Sequence, residues 1–205
     1  MQYLTRLFKL IELTRSQPQT GYSLAGIPKT ELSDLASHHY MVTFVGWQLA
    51  RYVNSKGAHI NVERVLEFCL VHDLGELFGS DISMPYALIN PKAKRLAKIF
   101  EEENQRFLAP FFGSDQKNFE ELIAEVMDAR SDEALIAKLA DYIEVTHYKF
   151  YANVLTKDDL GLARQRMTIM LKKIKDPIAK RTLKTFMTAW LKALPKGTTL
   201  EILKG

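Results

Sequence analysis

The chain has 205 residues, 47% hydrophobic and 25% charged, which suits one soluble globular domain with a sizeable core. Its net charge of +4 and pI near 9.0 are too mild to demand a nucleic-acid partner, and they admit an anionic substrate. Cys69 is the sole cysteine, so an internal disulfide is excluded and a reducing compartment fits.

The first residues lack a basic leader followed by an apolar block and a small-residue cleavage site. No window reaches the roughly 20 apolar residues of a membrane span. The expectation is a cytoplasmic protein with no membrane partner.

Residues 3 to about 15 read as a short amphipathic helix through Leu4, Leu7, Phe8 and Ile11. Pro18 and Gly21 break it. The segment onward to about residue 32 contains Pro28 and is long for a connection, which predicts a covering loop. Ser33 or Asp34 then caps a helix to about residue 54, with Leu35, Val42, Val45, Leu49 and Val53 inward and His38 and His39 in its second turn. Asn61 caps the next helix. Its stripe of Val62, Val65, Leu66, Cys69 and Leu70 carries His72 and Asp73 inward at its end.

Residues 81–85 read as a loop. Residues 92–108 read as a long helix with Leu96, Ile99, Phe100 and Phe107 on its apolar side. A helix at 119–127 follows, then one capped by Ser131 that holds Asp141, then two at about 159–175 and 177–194. Strand-like alternation is nowhere sustained. The expected fold is an all-α helical bundle in a single domain. Its core spans about 30–155, with an N-terminal helix and loop over the site, C-terminal helices within 158–194, and a tail from 195 to 205.

His38, His72, Asp73 and Asp141 fall on otherwise apolar helix faces. A buried carboxylate without a partner costs several kcal/mol, so each needs an explanation. Taken singly, each has an ordinary one: His72 bonded to Asp73, Asp141 paired with Lys138, His38 on a helix surface. Taken together, two imidazoles and two carboxylates suit one borderline divalent ion. Glu76, one turn beyond His72 and Asp73, could act on a water there. Spacing alone does not choose between His38 and His39. Loops of the Gly-x-x-x-x-Gly-Lys or Gly-x-Gly-x-x-Gly type are absent, as is a Gly-x-Ser-x-Gly elbow. Lys172, Lys173, Lys175, Lys180, Arg181 and Lys184 make a basic C-terminal face, read as solvated.

At these residues the chain resembles the HD-domain metal-dependent phosphohydrolase superfamily, whose pattern is His, then His-Asp, then Asp, on separate helices. Within it the chain is most similar to the 5′-deoxynucleotidase branch. The likeness rests on Ser37-His38-His39-Tyr40, Val71-His72-Asp73-Leu74-Gly75-Glu76, Gly79-Ser80-Asp81-Ile82, Lys138-Leu139-Ala140-Asp141 and Pro18-Gln19-Thr20-Gly21-Tyr22. It implies His38, His72, Asp73 and Asp141 as ligands of one divalent ion, among Co, Mn, Zn, Ni, Fe and Mg. It implies Glu76 working on the attacking water, with Asp73 beside it as the second catalytic residue, and Asp81 touching the sugar. Tyr22 and Gln19 would lie near a small nucleotide substrate, and the protein would be a homodimer. Gln19 stands where the branch usually carries an arginine, and Ser37 where it is commonly acidic.

The reaction so implied is release of phosphate from a nucleoside 5′-monophosphate. Two other readings accompany it: a phosphodiesterase or triphosphohydrolase of the same superfamily, and a helical module that binds a nucleotide without turning it over.

Overall fold

Asp34 begins the first long helix because its side chain accepts the Ser37 N–H at 2.7 Å, filling one of the orphan donors of a helix start. That helix, α2 (Leu35–Asn54), lies at the centre with α3 (Val62–Val71) and α7 (Asp132–Tyr151). Asn61 and Ser131 cap α3 and α7 in the same way. The computed structural model describes residues 2–79 and 82–194.

The three central helices bury Val42, Leu49, Val65, Phe68, Cys69 and Leu139 between them. Around them run α1 (Gln2–Ile11), α4 (Met84–Ile89), α5 (Pro91–Leu108), α6 (Gln116–Asp128), α8 (Lys157–Lys173) and α9 (Pro177–Ala193). α8 packs on α7, and α9 on α8 and α2. α6 packs on α3, and α5 on the turn Leu74–Glu76. Among the described residues there is no strand, only a single antiparallel bridge between Pro18 and Asp34. No helix among them is long and apolar enough to cross a membrane. The expected all-α fold is the observed one.

α2 and α3 approach closely at Gly46. A Cβ there would stand 2.6 Å from Cys69 Sγ, 3.3 Å from Val65 Cγ1 and 3.5 Å from Ala140 Cβ. Alanine would gain about 1 kcal/mol of helix propensity, but overpacking a filled core costs roughly 1–3 kcal/mol. Packing wins at a crossing walled on three sides. Gly46→Ala should therefore lower the melting temperature, by about 2–4 °C for each kcal/mol of net loss in a chain this long. Thermal denaturation of the two proteins measures it, and a higher melting temperature in the variant would show that the crossing can relax.

Leu70, expected on the inward stripe of α3, is exposed, and three further expectations need correction. The first helix ends at Ile11 and passes into a 3-10 turn, Glu12–Arg15, rather than running on as α-helix. The stretch expected as loop at 81–85 contains the start of α4, where Pro85 occupies a first-turn position that needs no N–H. α5 does not bury its apolar side. Leu96, Ile99, Phe100 and Phe107 are each at least half exposed, while Asn104, Gln105 and Leu108 are the buried ones. The reason is what α5 packs on. Asn104 donates to the Gly75 carbonyl at 2.7 Å, and α5 comes so near that a Cβ on Gly75 would meet Glu101 Cγ at 2.6 Å. Backbone needs a polar partner, so the inward face of α5 is partly amide.

The 16–34 segment is pinned at both ends. Gln19 N–H donates to Ser33 O at 2.8 Å and Leu35 N–H to Gln17 O at 2.9 Å. This seats the 3-10 turn Thr20–Ala25 so that Tyr22 is buried, its ring 4.6 Å from that of Tyr148.

Candidate metal centre

Each central helix contributes to one buried point. α2 brings His38, the end of α3 brings His72 and Asp73, and α7 brings Asp141. His38 Nε2 lies 3.3 Å from His72 Nε2, 3.4 Å from Asp73 Oδ2 and 3.5 Å from Asp141 Oδ1. His72 Nε2 lies 3.3 Å from Asp73 Oδ2. The ligand atoms of His38, His72 and Asp73 are all within 4.8 Å of one another, and Asp141 adjoins them through His38.

The hydrogen bonds behind the rings decide what faces inward. His38 Nδ1 is 2.7 Å from the Glu144 carboxylate, which can only accept, so Nδ1 carries the proton. His72 Nδ1 is 3.0 Å from the Cys69 carbonyl oxygen, so it too is the donor. With one proton per ring, both Nε2 atoms therefore point lone pairs toward each other and toward the carboxylates of Asp73 and Asp141. Separations of 3.3–3.5 Å exceed the usual 2.7–3.2 Å of a good N–H···O bond. They match the spacing of atoms bound about 2.0–2.2 Å from a shared ion at tetrahedral angles, roughly 3.3–3.6 Å. A proton on His38 Nε2 would serve one neighbour at a time; a divalent ion would serve them all. The trio of His38, His72 and Asp73 could hold such an ion.

The electrostatics show how strongly this point draws positive charge, whether a proton or an ion. Burial works to raise the Asp73 carboxyl, but the imidazoles of His72 and His38 outweigh it and hold Asp73 below the usual carboxylate range. Burial raises Asp141, with Asp73 and Glu144 adding to the push. Burial alone would lower His38, but bonds to Asp73 and Glu144 and the charge of Asp141 pull it above its ordinary value. His39 is different. Burial and the neighbouring His72 take it down to about 3, so it is neutral, and its Nε2 has no hydrogen-bond partner.

A sequence profile described as an HD domain matches residues 11–184. The chain belongs to the HD-domain family. A 5′-deoxynucleotidase from Pasteurella multocida is 30% identical over 104 residues, covering 44% of this chain and 53% of the relative. This chain thus spans about half the length of that curated relative. Among solved structures, a Pyrococcus horikoshii protein superposes with a TM-score of 0.69 at 22% identity, covering 93% of this chain and 99% of its own. A conserved hypothetical protein from Pyrococcus furiosus gives 0.64 at 23% identity, covering 92% and 98%. These two likenesses speak to the fold alone. Family membership and the His38–His72–Asp73 trio support a metal-dependent hydrolase.

Beside the trio, this HD domain opens a cleft that Gln19, Gly21, Tyr22, Glu76 and Asp141 help to line. Gln19 Nε2 donates to Glu76 Oε2 at 3.3 Å, and Gln17 Nε2 to the Glu76 carbonyl at 2.9 Å. Gln19 thus bears on Glu76. Asp81 lies outside the described residues.

Reading the sequence missed Glu144. It is buried and takes both the His38 N–H and the Tyr22 hydroxyl, the latter at 3.2 Å. Its position three residues after Asp141, on the same helix face, was the available signal. Lys149, at the far end of the cleft, was also missed.

Proposed function

We propose that this HD domain releases phosphate from nucleoside 5′-monophosphates, deoxynucleotides foremost, with one divalent ion held by His38, His72, Asp73 and Asp141. The observation that carries this is the convergence of two lone-pair imidazole nitrogens and two carboxylates whose histidine tautomers are set from behind. The similarity to a 5′-deoxynucleotidase supports the choice of reaction.

When bound, the ion supplies Lewis acidity to a phosphoryl oxygen and to the attacking water. Glu76, oriented by Gln19 and Gln17, takes the proton of that water. Asp73, on the same turn, places negative charge beside the reacting water. Gly21 and Tyr22 close the wall above the trio, and burial of Tyr22 keeps that wall in place.

Charge favours a monophosphate over a polyphosphate. Among the described residues lining the cleft, Lys149 is the one lysine or arginine, and it is already paired with Asp159 at 2.5 Å. Asp73, Glu76 and Asp141 line the same space. Beyond the proposed ion, a triphosphate chain would meet these carboxylates with only that one lysine, at the far end of the cleft, to offset its extra charge.

The test is metal analysis of the purified protein followed by phosphate release from nucleoside mono- and triphosphates and cyclic dinucleotides. About one divalent ion per chain and orthophosphate from monophosphates are expected. Release of pyrophosphate or tripolyphosphate would replace this reading with the triphosphohydrolase, and opening of the cyclic substrates with the phosphodiesterase. Bound ion and nucleotide with no turnover would leave a binding module.

A further inference from the structure

The cleft continues past the metal centre along one face of α7. Asp141, Val145 and Lys149 line it in helical succession, so Lys149 stands about 12 Å along the axis from Asp141. Leu162 and Ala163 of α8 form the facing wall, and the whole cleft has a volume of about 220 Å³. One end is thus ionic, the middle sets the apolar Val145, Leu162 and Ala163 among Tyr142 and Thr146, and the far end carries the Lys149 ammonium beside the Asp159 carboxylate.

That ammonium is held still and left half used. Lys149 Nζ donates to Asp159 Oδ1 at 2.5 Å. Asp159 has little to spare for a ligand. Its Oδ2 accepts the Thr156 N–H at 2.9 Å and the Thr156 hydroxyl at 2.6 Å, closing the capping box of α8. Lys149 has three donors and one protein partner among the described residues, and its side chain is only 15% exposed. Two N–H donors on a mostly buried charge are therefore available to whatever occupies the arm.

We infer that Lys149 reads the base of the nucleotide, and that the base is a 6-oxopurine, guanine or hypoxanthine. This rests on the monophosphatase reading, which places phosphate at the metal centre and sends the base along α7. The apolar walls of Val145, Leu162 and Ala163 suit a flat ring. Two donors on one ammonium match the adjacent acceptors O6 and N7 of a 6-oxopurine. Adenine sets an amino donor beside N7 and would oppose one of them. Thymine offers a carbonyl flanked by a methyl group. Asp159 is a positioning residue that aims the ammonium.

The ordinary alternative is that Lys149–Asp159 merely ties α7 to α8, and base discrimination separates the two. Binding of dGMP, dAMP and deoxyribose 5-phosphate is measured by calorimetry on the full chain with Mn²⁺ present. The wild-type protein should hold dGMP about 5- to 150-fold tighter than dAMP, the range of one bidentate contact. Lys149→Met should bring that ratio near one, and Lys149→Arg, which keeps a paired donor, should restore most of it. Equal wild-type affinities for dGMP and dAMP would overturn the inference without any variant, as would a preference that survives in Lys149→Met. If none of the three compounds yields orthophosphate, the monophosphatase reading fails, while the dGMP-to-dAMP binding ratio still decides the role of Lys149.

Discussion

Exchanging Glu76 for glutamine should leave the bound ion in place and cut hydrolysis by about 10²–10⁴-fold, the usual contribution of a positioned general base. The two effects separate because Glu76 is outside the His38–His72–Asp73 trio yet lines the same cleft. Glutamine still offers an oxygen to the Gln19 amide that now donates to Oε2 at 3.3 Å, and the Gln17 bond goes to backbone, so the local structure survives. What disappears is a group able to accept a proton. Metal content by mass spectrometry and phosphate release under saturating substrate give the two readings. Turnover within a few-fold of wild type would remove Glu76 from the mechanism, and loss of the ion would move it into the ligand set.

The second large effect comes from His38→Ala, which should abolish stoichiometric metal binding and destabilise the fold. His38 donates to Glu144 at 2.7 Å, and Glu144 is only 4% exposed. Removing the imidazole opens a cavity and leaves a buried carboxylate with the Tyr22 hydroxyl as its remaining donor of the two. Breaking a buried pair costs about 3–5 kcal/mol. For a chain of this length that is roughly 6–20 °C in melting temperature. Glu144→Gln provides the comparison. It keeps an acceptor behind Nδ1 but removes the charge, so metal affinity should fall about 10–100-fold while the site persists. A His38→Ala protein that still binds one ion per chain would exclude His38 from the ligands.

The sequence made the helices legible wherever a cap and an apolar stripe coincided, as at Asp34 with Leu35, Val42 and Leu49, or at Asn61 with Val65 and Cys69. It pointed to His38, His72, Asp73 and Asp141 because a polar side chain on such a stripe is costly without a partner. It could not separate His38 from His39 by spacing, since adjacent residues on a helix reach both flanks of one stripe. In the folded protein both are buried, but only His38 has an acceptor behind its ring and the carboxylates of Asp73 and Asp141 before it. Glu144 stayed hidden because a glutamate on a helix is ordinarily solvated; only the arrival of Tyr22 from 122 residues away makes it a core group. α5 misled for the opposite reason. Its apolar residues form a regular side, but the surface it meets is the backbone at Gly75, which wants an amide.

Glu144 takes one hydrogen bond from the His38 ring and another from Tyr22, in the segment that wraps the mouth of the cleft. On the proposed metal site, ion occupancy and seating of that wrap would therefore be linked through a single carboxylate, each favouring the other by an equal amount. A chelator should loosen the N-terminal wrap in hydrogen exchange, and trimming the Tyr22 hydroxyl should weaken the grip on the ion from a distance.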